Sequence, residues 1–242
     1  MTYVRQWLLV VGAFAGVACG GSAPEPAPAP RGPVETTGFE APPSGAMQVS
    51  GEGFMGTIPE RLIQETLEPK MPKFQRCFFE GAGQVELIGG HMGFYFRVGL
   101  DGRVEWVDPR DSSVGHRATE ECLLAVAAAT RFPKPRGGGP AEFAWGFDID
   151  SVGGLRPPVT WGEDRVRASV RAQDGSLARC DLGDAEVAVT VYVAPGGAVT
   201  SAGAATAAHD AVGKLPCVVE AVRQWQLPDP GSYPAKVTFT LP

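Results

Sequence analysis

The run Met92–Leu100 (MGFYFRVGL), followed by Asp101-Gly102 and then Arg103–Val107, decides the fold. Phe94, Phe96 and Val98 share one phase while Tyr95 takes the other, which is the alternation of a strand with one buried face. Two such runs around an Asp-Gly pair predict a hairpin with a tight turn, because Gly enters positive φ at no steric cost. Downstream, Ser113–Arg131 reads as a helix rich in Ala and Leu, with Ala118, Cys122, Val126 and Ala129 on one stripe. Phe132-Pro133 stops it, and Ala141–Ile149 alternates again as a closing strand. Upstream, Thr57-Ile58-Pro59-Glu60 has the form of a helix start with Thr57 as cap. Ile63, Leu67, Phe74 and Phe78 continue it, with Pro69 and Pro72 breaking it into two pieces. The unit is thus helix, strand, strand, helix, strand.

The chain repeats this unit. A shift of 95 residues, the distance from Cys122 to Cys217, lays Gly102 on Gly197, Val104 on Val199, and Phe132-Pro-Lys-Pro on Leu227-Pro-Asp-Pro. The same shift places Phe94, Phe96 and Val98 over Val189, Val191 and Val193. With a shift of 103, Cys77 falls on Cys180 and Ile63, Leu67 and Phe74 fall on Val166, Val170 and Leu177, so a loop is shortened between Cys180 and Val187. After Pro135 a shift of 94 sets Phe143, Trp145 and Phe147 over Val237, Phe239 and Leu241. In the second copy Gly196-Gly197 replaces Asp101-Gly102 as the turn, and Leu215–Gln226 is the shorter second helix. Trp161–Cys180 reads as the first helix with a break at Asp174-Gly175, although Val166, Ala168 and Val170 also alternate as in a strand. A period of this length is a domain duplication and not a solenoid. The expected class is α+β, with one small domain over 54–151 and a more divergent one over 155–242.

Five cysteines remain to be placed: Cys19, Cys77, Cys122, Cys180 and Cys217. Setting Cys19 aside leaves four, which allow three pairings. Each copy holds one member of each class, so the simplest pairing is Cys77 with Cys122 and Cys180 with Cys217; joining equivalent cysteines would interlock the copies.

The ends of the chain give an address. Met1–Cys19 has Arg5, an apolar run Trp7–Val17 too short to span a bilayer, and small residues before Cys19, as in a secretory signal. Gly16-Val17-Ala18-Cys19 resembles a bacterial lipobox, which implies acylation of Cys19; it departs at Gly16, where Leu or Val is usual, and an ordinary signal cut near Ala18 is the other reading. Residues 20–53, opening with GGSAPEPAPAPRGP, are poor in large apolar side chains and are expected to be a disordered, extended tether. The expected location is the cell envelope, outer membrane rather than cytoplasm, with a lipid as the sole membrane attachment.

The order of elements resembles the TonB carboxy-terminal-like domains: Cys77 ending the first helix, the Asp101-Gly102 hairpin, Cys122 in the second helix, and Phe132-Pro-Lys-Pro before a Gly-rich turn and strand. More narrowly it resembles the AgmX/PglI carboxy-terminal domain family of myxobacterial envelope and gliding-associated proteins. The resemblance covers about 57–150 and, more weakly, 160–242, where the aromatic hairpin is missing and Leu227 replaces Phe132. It implies an envelope interaction module that binds a protein partner by strand addition, without catalysis or cofactor. TonB itself has an amino-terminal membrane helix for energy coupling, and two copies behind a lipid tether would depart from it, so an energy-transducing role is not expected.

Other functions find little support. A formal charge of -6 without a Lys/Arg run argues against nucleic acid. His91, His116 and His209 share no metal-ligand spacing, and Asp108 and Asp111 around Arg110, or Asp148 and Asp150, read as solvated loop carboxylates. Gly137-Gly138-Gly139 precedes a strand without a Lys-Ser/Thr, so it is a turn, and Ser112, Ser113 and Ser176 lack a nucleophile-elbow setting. No small-molecule substrate is expected. Phe94, Phe96, Trp145 and Phe147 are core candidates, while Tyr95 and Trp106 are candidate partner contacts, Trp106 equally a lid on the core. The expected function is envelope scaffolding by protein-protein interaction at a sheet edge; peptidoglycan or glycan binding is the alternative.

Overall fold

In the computed structural model, which describes residues 55–85, 87–150 and 156–241, the Met92–Val107 alternation forms a hairpin of β1 (Gly90–Val98) and β2 (Val104–Ser112). β3 (Ala141–Ile149) pairs antiparallel with the other side of β1, giving a sheet of order β2-β1-β3. α1 (Glu60–Leu67), a 3-10 turn at Glu68–Lys70 and α2 (Met71–Ala82) precede the hairpin, so the prolines tighten the helix and divide it. α3 (Arg117–Ala128) follows β2. Leu67, Phe74 and Phe78 from the first helices, Leu123 and Ala127 from α3, and Met92, Phe94, Phe96 and Val98 from β1 make one buried core. Phe143, Trp145 and Phe147 of β3 pack against it, with the Phe74 ring centroid 5.1 Å from that of Phe147.

The second half repeats the plan with α4 (Arg167–Gln173), β5 (Val187–Val193), β6 (Val199–Ala205), α5 (Leu215–Val222) and β7 (Ala235–Leu241). Beyond Gln173 the helix tightens to 3-10 form over Asp174–Cys180. An additional strand, β4 (Val159–Trp161), pairs parallel with β7, so this sheet has the order β4-β7-β5-β6. Val189, Val191 and Val193 are buried as their counterparts are, in a core separate from the first. The disulfides Cys77–Cys122 and Cys180–Cys217 each close one half, with Cα–Cα distances of 5.7 Å and 5.6 Å.

The hairpin clasp is also duplicated. The Phe132 amide donates to the Gly102 carbonyl at 2.9 Å, and the Leu227 amide donates to the Gly197 carbonyl at 2.9 Å. Gly102 and Gly197 lie at φ 82° and 87°, and a Cβ on either would come within 2.2 Å or 2.1 Å of the carbonyl oxygen of Phe132 or Leu227. Glycine is therefore required twice, for conformation and for space.

The halves meet through polar groups. The outer face of the second sheet supplies Thr190 Oγ1, which donates to the Ser112 carbonyl at 3.0 Å, and Ser201 Oγ, which donates to the Gly115 carbonyl at 2.7 Å. Lys236 Nζ donates to the Gly89 carbonyl at 2.6 Å, and the Thr206 amide to the Pro109 carbonyl at 2.9 Å. At the centre Glu120, fully buried, accepts from Ser112 Oγ at 2.7 Å and from the Ala204 amide at 3.1 Å.

Three local expectations are corrected. Thr57 caps no helix: its amide and carbonyl form a two-way bridge with Arg136, and Pro59 stands at the N-cap of α1. The buried residues of α3 are Thr119, Glu120, Leu123 and Ala127 instead of the Ala118 stripe, because the helix faces the second half as well as its own sheet. Asp108 is not in a solvated loop, since β2 runs on to Ser112 and buries it. The signal, lipobox and tether readings over 1–53, Cys19 included, lie outside the described residues.

Candidate functional site

Sheet edges are the surfaces on which another backbone can add. β6 lies against β2, where the Thr206 amide and the Trp106 ring meet Pro109 and His209. β4 flanks β7. On β3, the Gly56 amide donates to the Pro140 carbonyl at 2.8 Å, and beyond that point no strand among the described residues pairs with the outer side.

The register shows which backbone groups this edge presents. The Gly99 amide donates toward β2, to the Arg103 carbonyl at 2.8 Å, so Val98 and every second residue before it turn toward β3. Their partners are Ala141, Phe143, Trp145, Phe147 and Ile149. The amides and carbonyls of Ala144, Gly146 and Asp148 therefore point away from the sheet beyond the parallel bridge of Gly56 to Ala141, in line with the outward Pro140 carbonyl. Ala144 and Gly146 are exposed and small, so nothing in their side chains blocks an incoming strand. The aromatic face of β3 packs on Phe74, whose ring centroid is 5.7 Å from that of Trp145.

The sheet face opposite the helices carries Tyr95 and Trp106, with ring centroids 5.9 Å apart. Tyr95 Oη donates to Glu142 Oε2 at 3.1 Å, and Arg110 lies over its ring at 5.1 Å. Its phenol is held above the usual pKa by burial and then by the Glu142 carboxylate. Arg97 bonds both Glu142 and Glu105, and these contacts raise its already high pKa further. Trp106 is half-buried against His209 at 4.4 Å, and His209 Nδ1 sits 2.6 Å from Asp108 Oδ2. Trp106 thus joins the two halves as well as flanking Tyr95.

The remaining candidates are dispersed. His91 lies between Asp111, with Nε2 at 2.8 Å, and Asp148, with Nδ1 at 3.3 Å. His116 Nδ1 is 2.9 Å from Thr119 Oγ1, and burial, followed by the charge of Arg223, lowers its pKa. Among the described residues no three His, Cys, Asp or Glu side chains converge as metal ligands, and no helix is long and apolar enough to cross a membrane. Ser112 is spent on Glu120, and Gly137 and Gly138 form a turn at positive φ. Sequence reasoning missed Glu120 and Lys236 at the junction. One signal was present: Gly203 interrupts a strand, and a Cβ there would lie 2.2 Å from Glu120 Oε1. No family model, curated protein or solved structure matches the chain.

Proposed function

We propose that the chain is a non-enzymatic, exported envelope protein, lipid-anchored at Cys19, that binds a protein partner by adding its strand to the outer edge of β3. The observation that carries this reading is the row of outward amides and carbonyls at Ala144, Gly146 and Asp148, where no strand among the described residues pairs with β3 beyond the Gly56 bridge. Two disulfides fit an oxidising compartment, and the resemblance to TonB-like domains points to the same binding mode. A photo-crosslinking residue at Ala144, placed in the native envelope, is expected to capture a protein, whereas one at Thr200 is not. Substrate turnover by the purified protein, or equal capture from both positions, overturns the reading. Intact-mass measurement checks the anchor, since acylation adds a lipid mass to Cys19 and simple signal cleavage does not.

A second reading, glycan binding, is favoured by the side-by-side Tyr95 and Trp106 rings bordered by Glu105 and Glu142. Binding to purified peptidoglycan that Trp106→Ala abolishes and Ala144→Pro leaves intact would establish it in place of strand addition.

A further inference from the structure

The outer edge of β3 differs from its counterpart in the second half. By the shift of 103 residues Gly56-Thr57-Ile58 falls on Val159-Thr160-Trp161. In the second half all three of these residues pair parallel with β7, at Ala235, Lys236 and Val237, and Trp161 enters the core. In the first half the same pairing stops after Gly56 and Ala141, because Thr57 turns away to bridge Arg136. The side chains differ accordingly. Val237, Phe239 and Leu241 of β7 are buried, whereas Phe143, Trp145 and Phe147, which hold the same places on β3, remain partly exposed.

α2 stands over this aromatic row. Phe74 reaches Trp145 and Phe147, and the Phe78 ring centroid lies 6.3 Å from that of Phe147. One flank of the helix is tied to α3 through Cys77–Cys122. The flank away from Cys77, with Gln75 and Phe79 at four-residue spacing, therefore faces out above the open edge. Phe79 is 62% exposed, more than any other large apolar side chain among the described residues. The face of β3 turned from the helices is different in kind. Ala144 and Gly146 are small there, and the Asp148 side chain is 81% exposed, with His91 Nδ1 at 3.3 Å as its sole ionic contact among the described residues. Glu142, on the same face, is already matched by Arg97 and Tyr95.

We propose that β3 takes a partner strand in which apolar and basic residues alternate. This rests on the strand-addition reading and adds the chemistry of the partner. Side chains at paired positions of neighbouring strands share a face of the sheet. Every second residue of the guest therefore lies on the helix side, against Phe143, Trp145, Phe147 and Phe79, where an apolar side chain takes exposed ring surface out of water. The residues between them lie over Ala144 and Gly146, where the long stem of a Lys or Arg has room and its charge meets Asp148. A second copy of the chain does not supply this pattern. Its Ala141–Ile149 strand holds no Lys or Arg, and its own Glu142 and Asp148 would come to the face that already carries these carboxylates.

The test titrates the folded chain with three end-blocked synthetic peptides, alternating Val with Lys, Val with Glu, and Thr with Lys, and follows the backbone amides by NMR. The Val/Lys peptide is expected to shift the Ala144, Gly146 and Asp148 amides saturably, and the other two to bind about tenfold more weakly. Phe79→Ser, at an exposed position outside the core, should weaken Val/Lys binding, and Asp148→Lys should reverse the preference for Lys over Glu. Equal binding of the three peptides at these amides, or no effect of either substitution, overturns the partner chemistry while leaving strand addition in place. No saturable shift with Val/Lys also overturns it, and crosslinking at Ala144 then decides strand addition separately. A dimer that Ala144→Pro dissolves would mean that a second copy covers the edge, and the proposed partner would be wrong.

Discussion

Glu120 Oε2 accepts the Ala204 amide at 3.1 Å, so a carboxyl group of the first half is bonded to the backbone of the second at the centre of their junction. Burial holds the pKa of this group above its ordinary value of 4.5, against the bonds from Ser112 and Ala204. A raised carboxyl pKa means that the folded protein binds the proton more tightly than the unfolded chain. The contribution of Glu120 to stability therefore declines as pH rises from about 4.5. In urea unfolding over a pH series, Glu120→Gln is expected to gain on the wild type as pH rises through that range. Parallel stability curves would contradict the buried position.

Lys236 predicts an alkaline effect of its own. Its Nζ reaches the Gly89 carbonyl and lies over the Tyr192 ring at 5.1 Å, and burial lowers its pKa from 10.5 to about 8, with Glu120 acting in the opposite sense. Between those values the unfolded chain holds the extra proton, so stability rises with pH across the window. Below about pH 8 the penalty is constant, at roughly 3 kcal/mol. Lys236→Met should lack the rise when unfolding is measured from pH 8 upward.

The paired clasps give matched mutations. Gly102→Ala and Gly197→Ala each place a Cβ against a carbonyl oxygen at positive φ, so each should destabilise by about 2 kcal/mol or more. Denaturant midpoints of the two variants measure this. A neutral effect at one site would break the equivalence of the halves.

The disulfides close loops with sequence separations of 45 and 37 residues. The chain-entropy relation gives about 4 kcal/mol for each, and loss of one bond typically costs about 2–5 kcal/mol. Cys77→Ser/Cys122→Ser and Cys180→Ser/Cys217→Ser should both lower stability by that order. Non-reducing peptide maps should contain Cys77 joined to Cys122 and Cys180 joined to Cys217, and no crossed pair.

Much of this arrangement was legible in the chain itself. Alternation at Phe94, Phe96 and Val98 placed the hairpin, and the recurrence of Gly102 and Cys122 at Gly197 and Cys217 revealed the second half and the pairing within halves. These signals are local or repeated. The junction is neither: Glu120 looks like one more polar residue on a helix, and its burial depends on a strand over 80 residues away in sequence, as the Ala204 bond shows. Thr57 departs from its local pattern for a similar reason, since Arg136 offers its backbone a tertiary bridge in place of a cap. The open edge followed from topology once β6 was seen lying against β2, which no pattern within β3 reveals.

Residue-resolved amide hydrogen exchange of the isolated protein tests the open edge of β3 most directly. Phe143, Trp145 and Phe147 should exchange slowly because their amides bond to β1, while Ala144, Gly146 and Asp148 exchange fast. Uniform slow exchange along β3 would mean that its outer side is already occupied, and the docking account would be wrong.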